Sequence, residues 1–566
     1  MNLFKASSII GLLFLFIAVR YAFALLMNIR AAKKSGMPYV VRLTPSGNPF
    51  WMIFGNKIIA LLERLPFRWV GQFKRFNLHG WEANERHRMY EEHGDIVLIV
   101  TPKGNLIYVG DPVAITEILR RKDEFRRNTK SRKMLDIFDK SLTSTDGPEW
   151  QRHRKVTATS FTEKNTELVW VESLKQAQGM LEYWTQRATA PIRSLQLDTQ
   201  TFTTNVLAAA MLSKPYKFVG KEDPPPTDDS EEEKIAYEYR EALSVILENV
   251  IAIMVLGKKV LQKKWMPVKL QKAGAAVERF RDYAETLIED EKARIQSGSQ
   301  QTVPTLVNLM VRACASEVKS GTKTLTESEI VSNLFVYAFA GRDTTAITLS
   351  HMIVFMAAHP EIQDWAREEI HHYLPDQDSS TWEYAKFAKL KRCLAVMYET
   401  LRLCHPSVLL LKVTPPHPIN LDVNGKSHLI PANSAIHGSL SAMHTHPDFY
   451  GPDPLSWRPS RFITATEKSE SGDIFAAETI PADTTVDFLA WSSGPRACPG
   501  KKFAQVEVVA VLAKMLYEHR VEAVPEPGES VLDAQNRLHG LCMTVEQKAI
   551  FNMKEPHKAG VRWVKC

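Results

Sequence analysis

Cysteine is scarce in this chain: six in 566 residues, at positions 314, 393, 404, 498, 542 and 566. Their spacing is irregular and no two form a CxxC pair, which excludes a disulfide framework and a zinc ribbon. Simple packing accounts for Cys314, Cys393, Cys404 and Cys542, because a buried free thiol behaves as a small apolar side chain. No repeat of fixed period is present, which excludes a solenoid or a propeller. Charge of one sign is also in short supply. Lys and Arg number 71 against 64 Asp and Glu, a formal charge of +7, and no dense basic block is interleaved with aromatics, so nucleic acid is not the expected partner. So modest an excess suits a membrane surface or an acidic protein.

What is present starts with an apolar N-terminus. Ser8 to Met27 is long enough as a helix to cross a bilayer core of about 30 Å. Arg20 lies towards one end of it, where its stem can snorkel. Arg30, Lys33 and Lys34 outnumber Lys5 and place the downstream chain on the cytoplasmic side. A cleaved signal peptide competes with this reading, since Lys5 precedes an apolar run and Ala22-Phe23-Ala24 resembles a cleavage site. Pro38, Pro45 and Pro49 then make a stiff connection. Phe50 to Leu65 is a second apolar patch, suited either to the membrane interface or to packing as a first helix. The expected layout is an anchor over 1–34, a hinge and interfacial segment over 35–66, and a single large catalytic domain over 67–566.

Beyond the hinge, alternating apolar residues around Ile96 to Val109 flank Pro102-Lys103-Gly104-Asn105 and predict a β-hairpin. Helical periodicity covers Trp150 to Phe161, Ala236 to Val255, Ala275 to Gln296, Glu327 to Ala358 and Glu361 to Leu374. Thr326 is placed to cap the Glu327 segment, with Pro360 just past its end. Polar inserts at Lys221 to Glu233, Gly298 to Thr302 and Lys468 to Thr485 read as surface loops. The class is mostly α with a small β part.

The most informative segment runs from Phe488 to Glu507, FLAWSSGPRACPGKKFAQVE. Its cysteine sits among glycines and prolines, directly before a helical pattern. A thiolate there points at the positive end of a helix and can accept backbone N–H bonds, which lowers its pKa and favours metal ligation. Gly494 and Gly500 let the backbone approach a flat macrocycle. The run Trp491 to Gly500 resembles the cytochrome P450 signature FSxGxRxCxG, with Trp491 in the place of the usual Phe. This likeness makes Cys498 the implied iron ligand of a haem b, with Arg496 offered to a haem propionate.

Further motifs follow the same family in order. Ala340-Gly341-Arg342-Asp343-Thr344-Thr345 resembles its oxygen-activation motif. Heterolysis of bound dioxygen needs protons, so Asp343 and Thr344 are expected to act as reservoir and relay, and Gly341 to allow a local bulge that opens a groove. A hydroxyl bonded back to its own helix is the bland alternative for Thr344. Glu399-Thr400-Leu401-Arg402 resembles the ExxR motif, whose spacing puts both charges on one helix face. Trp457 to Phe462 resembles the region that adds a third member, so the likeness implies a structural network of Glu399, Arg402 and Arg461. Trp150 and Arg154 match a WxxxR motif and are implied propionate ligands. Lys412 stands where many relatives have a propionate-binding Arg.

The resemblance therefore implies a cytochrome P450 fold and a haem-dependent monooxygenase that inserts one oxygen atom from O2 into a lipophilic small molecule. It is similar in style to fungal microsomal members that tailor natural products, anchored in the endoplasmic reticulum membrane with the catalytic domain cytoplasmic. No flavin-binding region is visible, and the 66 residues after Gly500 are too few for one, so electrons are expected from NADPH through a separate flavoprotein reductase. Its docking face would carry Arg152, Arg154, Lys155, Lys501 and Lys502. Lys130 to Phe138, Leu243 to Val255 and Val408 to Leu411 are the implied pocket, with Lys258 to Trp265 a membrane-facing cap. Two rival functions remain open: a thiolate-haem isomerase or dehydratase working on peroxides, and a haem-binding sensor without turnover. The Asp343-Thr344 pair speaks against both.

Overall fold

The computed structural model describes residues 2–45, 47–129, 135–158, 161–187, 190–212, 214–223, 231–298, 305–319, 324–465, 473–482 and 485–566. Two compact units make up the chain. One combines Met1–Asn128, Ser407–Leu455 and Val486–Leu489, and the other Thr129–Pro406, Ser456–Thr485 and Ala490–Cys566.

The first unit carries the main sheet. Strands β1 (Tyr39–Val41), β2 (Ile96–Thr101), β3 (Gly104–Val109), β4 (Arg126–Arg127), β5 (Leu409–Val413) and β8 (Ala435–Ser439) lie in the order β1-β2-β3-β8-β5-β4, beside a separate hairpin of β6 (Ile419–Val423) and β7 (Lys426–Ile430). β2 and β3 form the expected hairpin, with Ile96 opposite Val109 and Thr101 opposite Gly104. The two faces of β2 are buried in different clusters: Ile96, Leu98 and Val100 in one, Val97 and Ile99 in the other, as a period of two requires. Lys412 lies in β5 between Arg127 of β4 and Ile436 of β8.

An N-terminal helix runs from Asn2 to Ser35. Its apolar run spans Leu15–Ser35 by length and composition, yet the last third is docked. Leu25, Ile29 and the fully buried Ala32 pack into the β2–β3 cluster. Asn28 donates to the Thr101 carbonyl at 2.8 Å, and Asn105 donates to the Asn28 carbonyl at 3.1 Å. The second apolar patch forms a helix, Pro49–Leu62, capped by the Asn48 side chain. Its Trp51, Gly55 and Ile59 are buried, while Phe50, Ile53, Phe54 and Leu61 remain exposed, so one helix presents both faces that the sequence allowed.

The second unit is built around the helix Glu327–Ala358, whose ends match the expected ones. Thr326 and Glu329 form a reciprocal capping box. His359 leaves helical geometry, and Pro360 opens the next helix, Pro360–Tyr373. The expected helix over Ala236 to Val255 is instead two, Glu231–Glu248 and Val250–Leu256. The backbone departs at Asn249 (φ −114°, ψ 14°), whose side-chain amide donates to the Val245 carbonyl. Of the expected loops, residues 224–230, 299–302, 468–472 and 483–484 lie outside the described residues.

Candidate active site

The long helix is buried from Glu329 to Ala358 at every residue but three: Ala340, Gly341 and Thr344. Residues three and four apart share a helix face, so these three mark one accessible strip inside a core helix, which is how the wall of an internal cavity presents itself. Tyr337 lies one turn earlier on that face, close enough to Cys498 for the sulfur's charge to act on its hydroxyl.

Cys498 belongs to a loop wound tightly ahead of the helix Lys501–Glu518. Ser492 and Gly494 adopt positive φ, 59° and 70°, and the Cys498 N–H donates to the Trp491 carbonyl at 2.9 Å, closing the loop. Gly500 donates its N–H to the sulfur and its carbonyl accepts from Ala504 in the first turn of the helix. The thiol is solvent-accessible, yet protein surrounds it closely enough that burial pushes its pKa up, against the Gly500 hydrogen bond and the charges of Arg154 and Lys501. Accessible and enclosed at once describes a side chain lining a cavity. The Gly500 N–H bond lowers the thiol's pKa as expected, while desolvation outweighs it and the two charges together. Trp491 is buried edge-on against Tyr398, 5.6 Å between ring centroids, and Gln505 donates to the Tyr398 hydroxyl.

Two arginines approach the loop. Arg496 stacks on Trp150, its guanidinium carbon 4.0 Å from the ring centroid, while donating to Asp146 at 2.5 Å and to the Thr145 carbonyl at 3.1 Å. Burial lowers its pKa and Asp146 opposes that. The spacing rules gave no hint of Asp146, which sits just before the Gly-Pro start of the helix Gly147–Ala158. Arg154, one turn after Trp150, has no hydrogen-bonded or ion-paired side-chain partner among the described residues, and its charge acts on Cys498. Arg152, expected on an outward basic face, is turned inward instead. It grips Glu329 with two hydrogen bonds of 2.6 Å and donates to the Thr324 carbonyl, because the capping-box carboxylate at the start of the long helix is the nearest anion.

Asp343 and Thr344 point different ways. Thr344 donates to the Ala340 carbonyl at 2.6 Å, the back-bonded arrangement, while standing on the accessible strip. Asp343 is buried and accepts from Arg342 at 3.1 Å and from Gln200 at 3.2 Å. Arg342 also donates to Ser244. Burial raises the Asp343 pKa, opposed by Arg342. The helix shows no bulge at Gly341. A Cβ there would meet the Leu207 methyls at 2.8 and 3.0 Å, so this glycine lets the helices Leu195–Leu212 and Glu327–Ala358 pack closely.

Glu399, Arg402 and Arg461 do come together. Arg402 donates to both oxygens of Glu399, at 2.6 and 2.9 Å, and Arg461 and the Arg458 N–H donate to Oε1 at 2.9 and 2.7 Å. Both guanidiniums also donate to the Ser456 carbonyl. Glu399 is fully buried and Arg402 nearly so. Trp457 stacks on Phe355 and donates to Thr400.

A thiol at once accessible and enclosed, a guanidinium with no anion beside it among the described residues and an accessible strip on a core helix fit a haem held through sulfur. The cytochrome P450 family model matches residues 63–551. The chain belongs to the cytochrome P450 family. Among its relatives are a cytochrome P450 monooxygenase of Arthrobotrys oligospora, 29% identical with 95% of each chain covered, and one of Penicillium roqueforti, 28% identical with 87% of each covered. A third, from the phomenoic acid biosynthesis cluster of Leptosphaeria maculans, is 27% identical with 97% of each covered. A crystal structure of a cytochrome P450 shares the fold with TM-score 0.63 at 18% identity, covering 85% of this chain and 93% of that one. The protein is thus a P450 monooxygenase of mostly helical fold whose cofactor is haem b, with dioxygen, a lipophilic substrate and electrons from a redox partner. Oxygen insertion, rather than peroxide isomerisation or haem sensing, is the activity its relatives carry in their names.

Proposed function

We propose that Cys498 supplies the sulfur ligand to the haem iron and that the protein performs a tailoring oxidation in natural-product biosynthesis. The enclosed but accessible Cys498 thiol, an Arg154 side chain without a partner among the described residues and the Ala340–Thr344 strip carry the first part. The phomenoic acid cluster relative supports the second.

When bound, haem b supplies the redox chemistry, activation of dioxygen and transfer of one of its atoms. The protein's part is to hold and to protonate. Arg154 is the principal propionate cation, with Trp150 beside it, and Arg496, already braced by Asp146 and stacked on Trp150, is the second. Ala340, Gly341 and Gly500 present small surfaces to the macrocycle. Thr344 holds a hydroxyl at the cavity. Asp343, kept nearer neutrality by burial, is the proton reservoir, reached when its side chain leaves Arg342 and Gln200. Glu399, Arg402 and Arg461 keep the segment before the cysteine loop in place and touch no reacting atom.

Leu243 to Val255 contribute Leu243, Ile246 and Ile253 to the apolar cluster of the second unit, beside Phe335 and Phe339, which suits a lipophilic substrate. Residues 130–134 of the Lys130 to Phe138 segment lie outside the described residues. The exposed Trp265 and Val268 beside Lys258, Lys259, Lys263 and Lys264 suit a membrane-facing cap. The reading is completed by an anchor within 1–34, a hinge over 35–66, a catalytic domain over 67–566, location at the endoplasmic reticulum membrane, and an NADPH-dependent flavoprotein reductase. Of the basic residues expected at its docking face, Arg152 is engaged by Glu329 and Lys502 lies over the Phe387 ring.

Reduced protein under carbon monoxide should show a Soret band at about 450 nm, as thiolate ligation predicts, and Cys498→Ser should lack it. The same band in the variant would remove Cys498 from the iron.

A further inference from the structure

In the first unit, three side chains from distant parts of the chain turn towards one point. His87 precedes the short helix Arg88–His93, Asp95 precedes β2, and His446 caps the turn Pro447–Tyr450. One donor atom from each lies within 4.8 Å of the others. The imidazoles address different oxygens of the same carboxylate, His87 Nε2 at 3.8 Å from Oδ1 and His446 Nε2 at 3.8 Å from Oδ2. Their ring centroids are 4.3 Å apart.

These separations are too long for hydrogen bonds. His87 and His446 are only 7% and 5% exposed, and the Asp95 side chain is 11% exposed. Among the described residues Asp95 Oδ1 and His87 Nδ1 are buried without a hydrogen-bond partner, whereas Oδ2 is fixed by a 2.6 Å bond from Asn424. Buried polar atoms are nearly always paired, so a carboxylate with one open oxygen, flanked by two imidazoles that each stop short of hydrogen-bonding it, is the arrangement of a ligand set suited to a cation.

We propose that His87, Asp95 and His446 bind one zinc-class divalent ion. Two imidazoles and a carboxylate suit zinc, and three protein ligands leave a fourth, water-filled position at the accessible edge of Asp95. Ligands about 2.0–2.1 Å from zinc in a tetrahedron stand roughly 3.4 Å apart, so the two 3.8 Å separations need little contraction, while the widest, within 4.8 Å, closes by side-chain rotation. His446 Nδ1 accepts from the Asp448 N–H at 3.3 Å, which puts the proton of the neutral ring on Nε2. Zinc takes the Nε2 lone pair and the proton passes through solvent to Nδ1, which gives up its hydrogen bond from the Asp448 N–H and donates to the Asp448 carboxylate, now 4.0 Å away, once that side chain turns in. A carboxylate behind a ligating histidine is the usual outer support of such a site. The ion would tie residues 87 and 95 to residue 446, fastening the sheet-bearing unit far along the chain from the cysteine loop.

The test uses full-length holoenzyme stripped of loose metal by a chelator, equilibrated with zinc chloride and desalted. The zinc-to-iron ratio is read by atomic emission, beside His87→Gln and His446→Gln variants. The expected result is one more zinc per haem iron in the wild type than in either variant, with the carbon monoxide band intact in all three. Equal zinc in wild type and folded variants overturns the proposal. Should a variant lose its band, wild-type protein decides alone: zinc should shield His87 and His446 from diethyl pyrocarbonate, mapped by peptide mass spectrometry, and absence of shielding at both overturns it equally.

Discussion

Glu399 shows how much one buried carboxylate can be asked to do. It neutralises Arg402 and Arg461 and accepts the Arg458 N–H, all within 2.9 Å. Removing one partner of a buried ion pair leaves an uncompensated charge, at a cost of roughly 3–5 kcal/mol. Glu399→Gln keeps the shape but loses the charge, so its urea unfolding midpoint should fall sharply and haem should be lost early in the transition. A midpoint like that of the wild type would show the guanidiniums to be satisfied elsewhere. Thr344→Ala removes a hydroxyl that, among the described residues, bonds only to its own helix, so stability should change by no more than about 1 kcal/mol while oxygen consumed per product formed rises. Asp343→Asn should slow product formation by about 10²-fold or more, in line with losing a general acid. Both are read by oxygen electrode and product assay, and unchanged coupling in both variants would take proton delivery away from this pair. Spacing made the Glu399–Arg402 contact legible, since residues three apart on a helix must meet. It could not show that Asp343 faces Gln200, because that depends on which helix packs alongside.

At the scale of elements, the long helix was legible to the residue: Thr326, Glu329 and Pro360 are local signals whose chemistry needs no tertiary partner. Its link to the helix Gly147–Ala158 was not legible. Arg152 and Glu329 are 177 positions apart, and only packing brings them together. Burial pushes the Glu329 carboxyl up, but the Arg152 hydrogen bonds and the Thr326 N–H overcome it and hold the group at about 2. A folded-state pKa below the unfolded value of about 4.3 stabilises the protein above that value, and the contribution disappears as pH falls towards about 2. The apparent unfolding midpoint of wild type should therefore exceed that of Arg152→Met at pH 7, with the gap closing as pH drops from about 5 to about 2. A gap independent of pH in that window would dissociate the ion pair from acid stability.

For the whole molecule, the N-terminal helix has more length than a bilayer needs. Its 34 residues span about 51 Å at 1.5 Å per residue against a core of about 30 Å, so the helix is long enough both to dock at Leu25, Ile29 and Ala32 and to serve as the proposed anchor. Removing residues 2–22 should release the protein from microsomes with its carbon monoxide band intact. Removing 2–34 should also uncover the β2–β3 cluster and lower the thermal midpoint, and equal midpoints for the two truncations would mean that the docked turns contribute nothing. By itself the amino-acid sequence determined the family, the cysteine loop, the order of the motifs and the ends of the long helix. These are fixed by residue identity at short spacing, by caps, turns and a loop that must wrap a sulfur. The tertiary structure alone decided which arginines are already engaged, which way Asp343 turns, where the N-terminal helix docks and that His87, Asp95 and His446 meet. Partners so far apart in the chain are selected by packing and by the need to satisfy buried charge, and no local pattern encodes either.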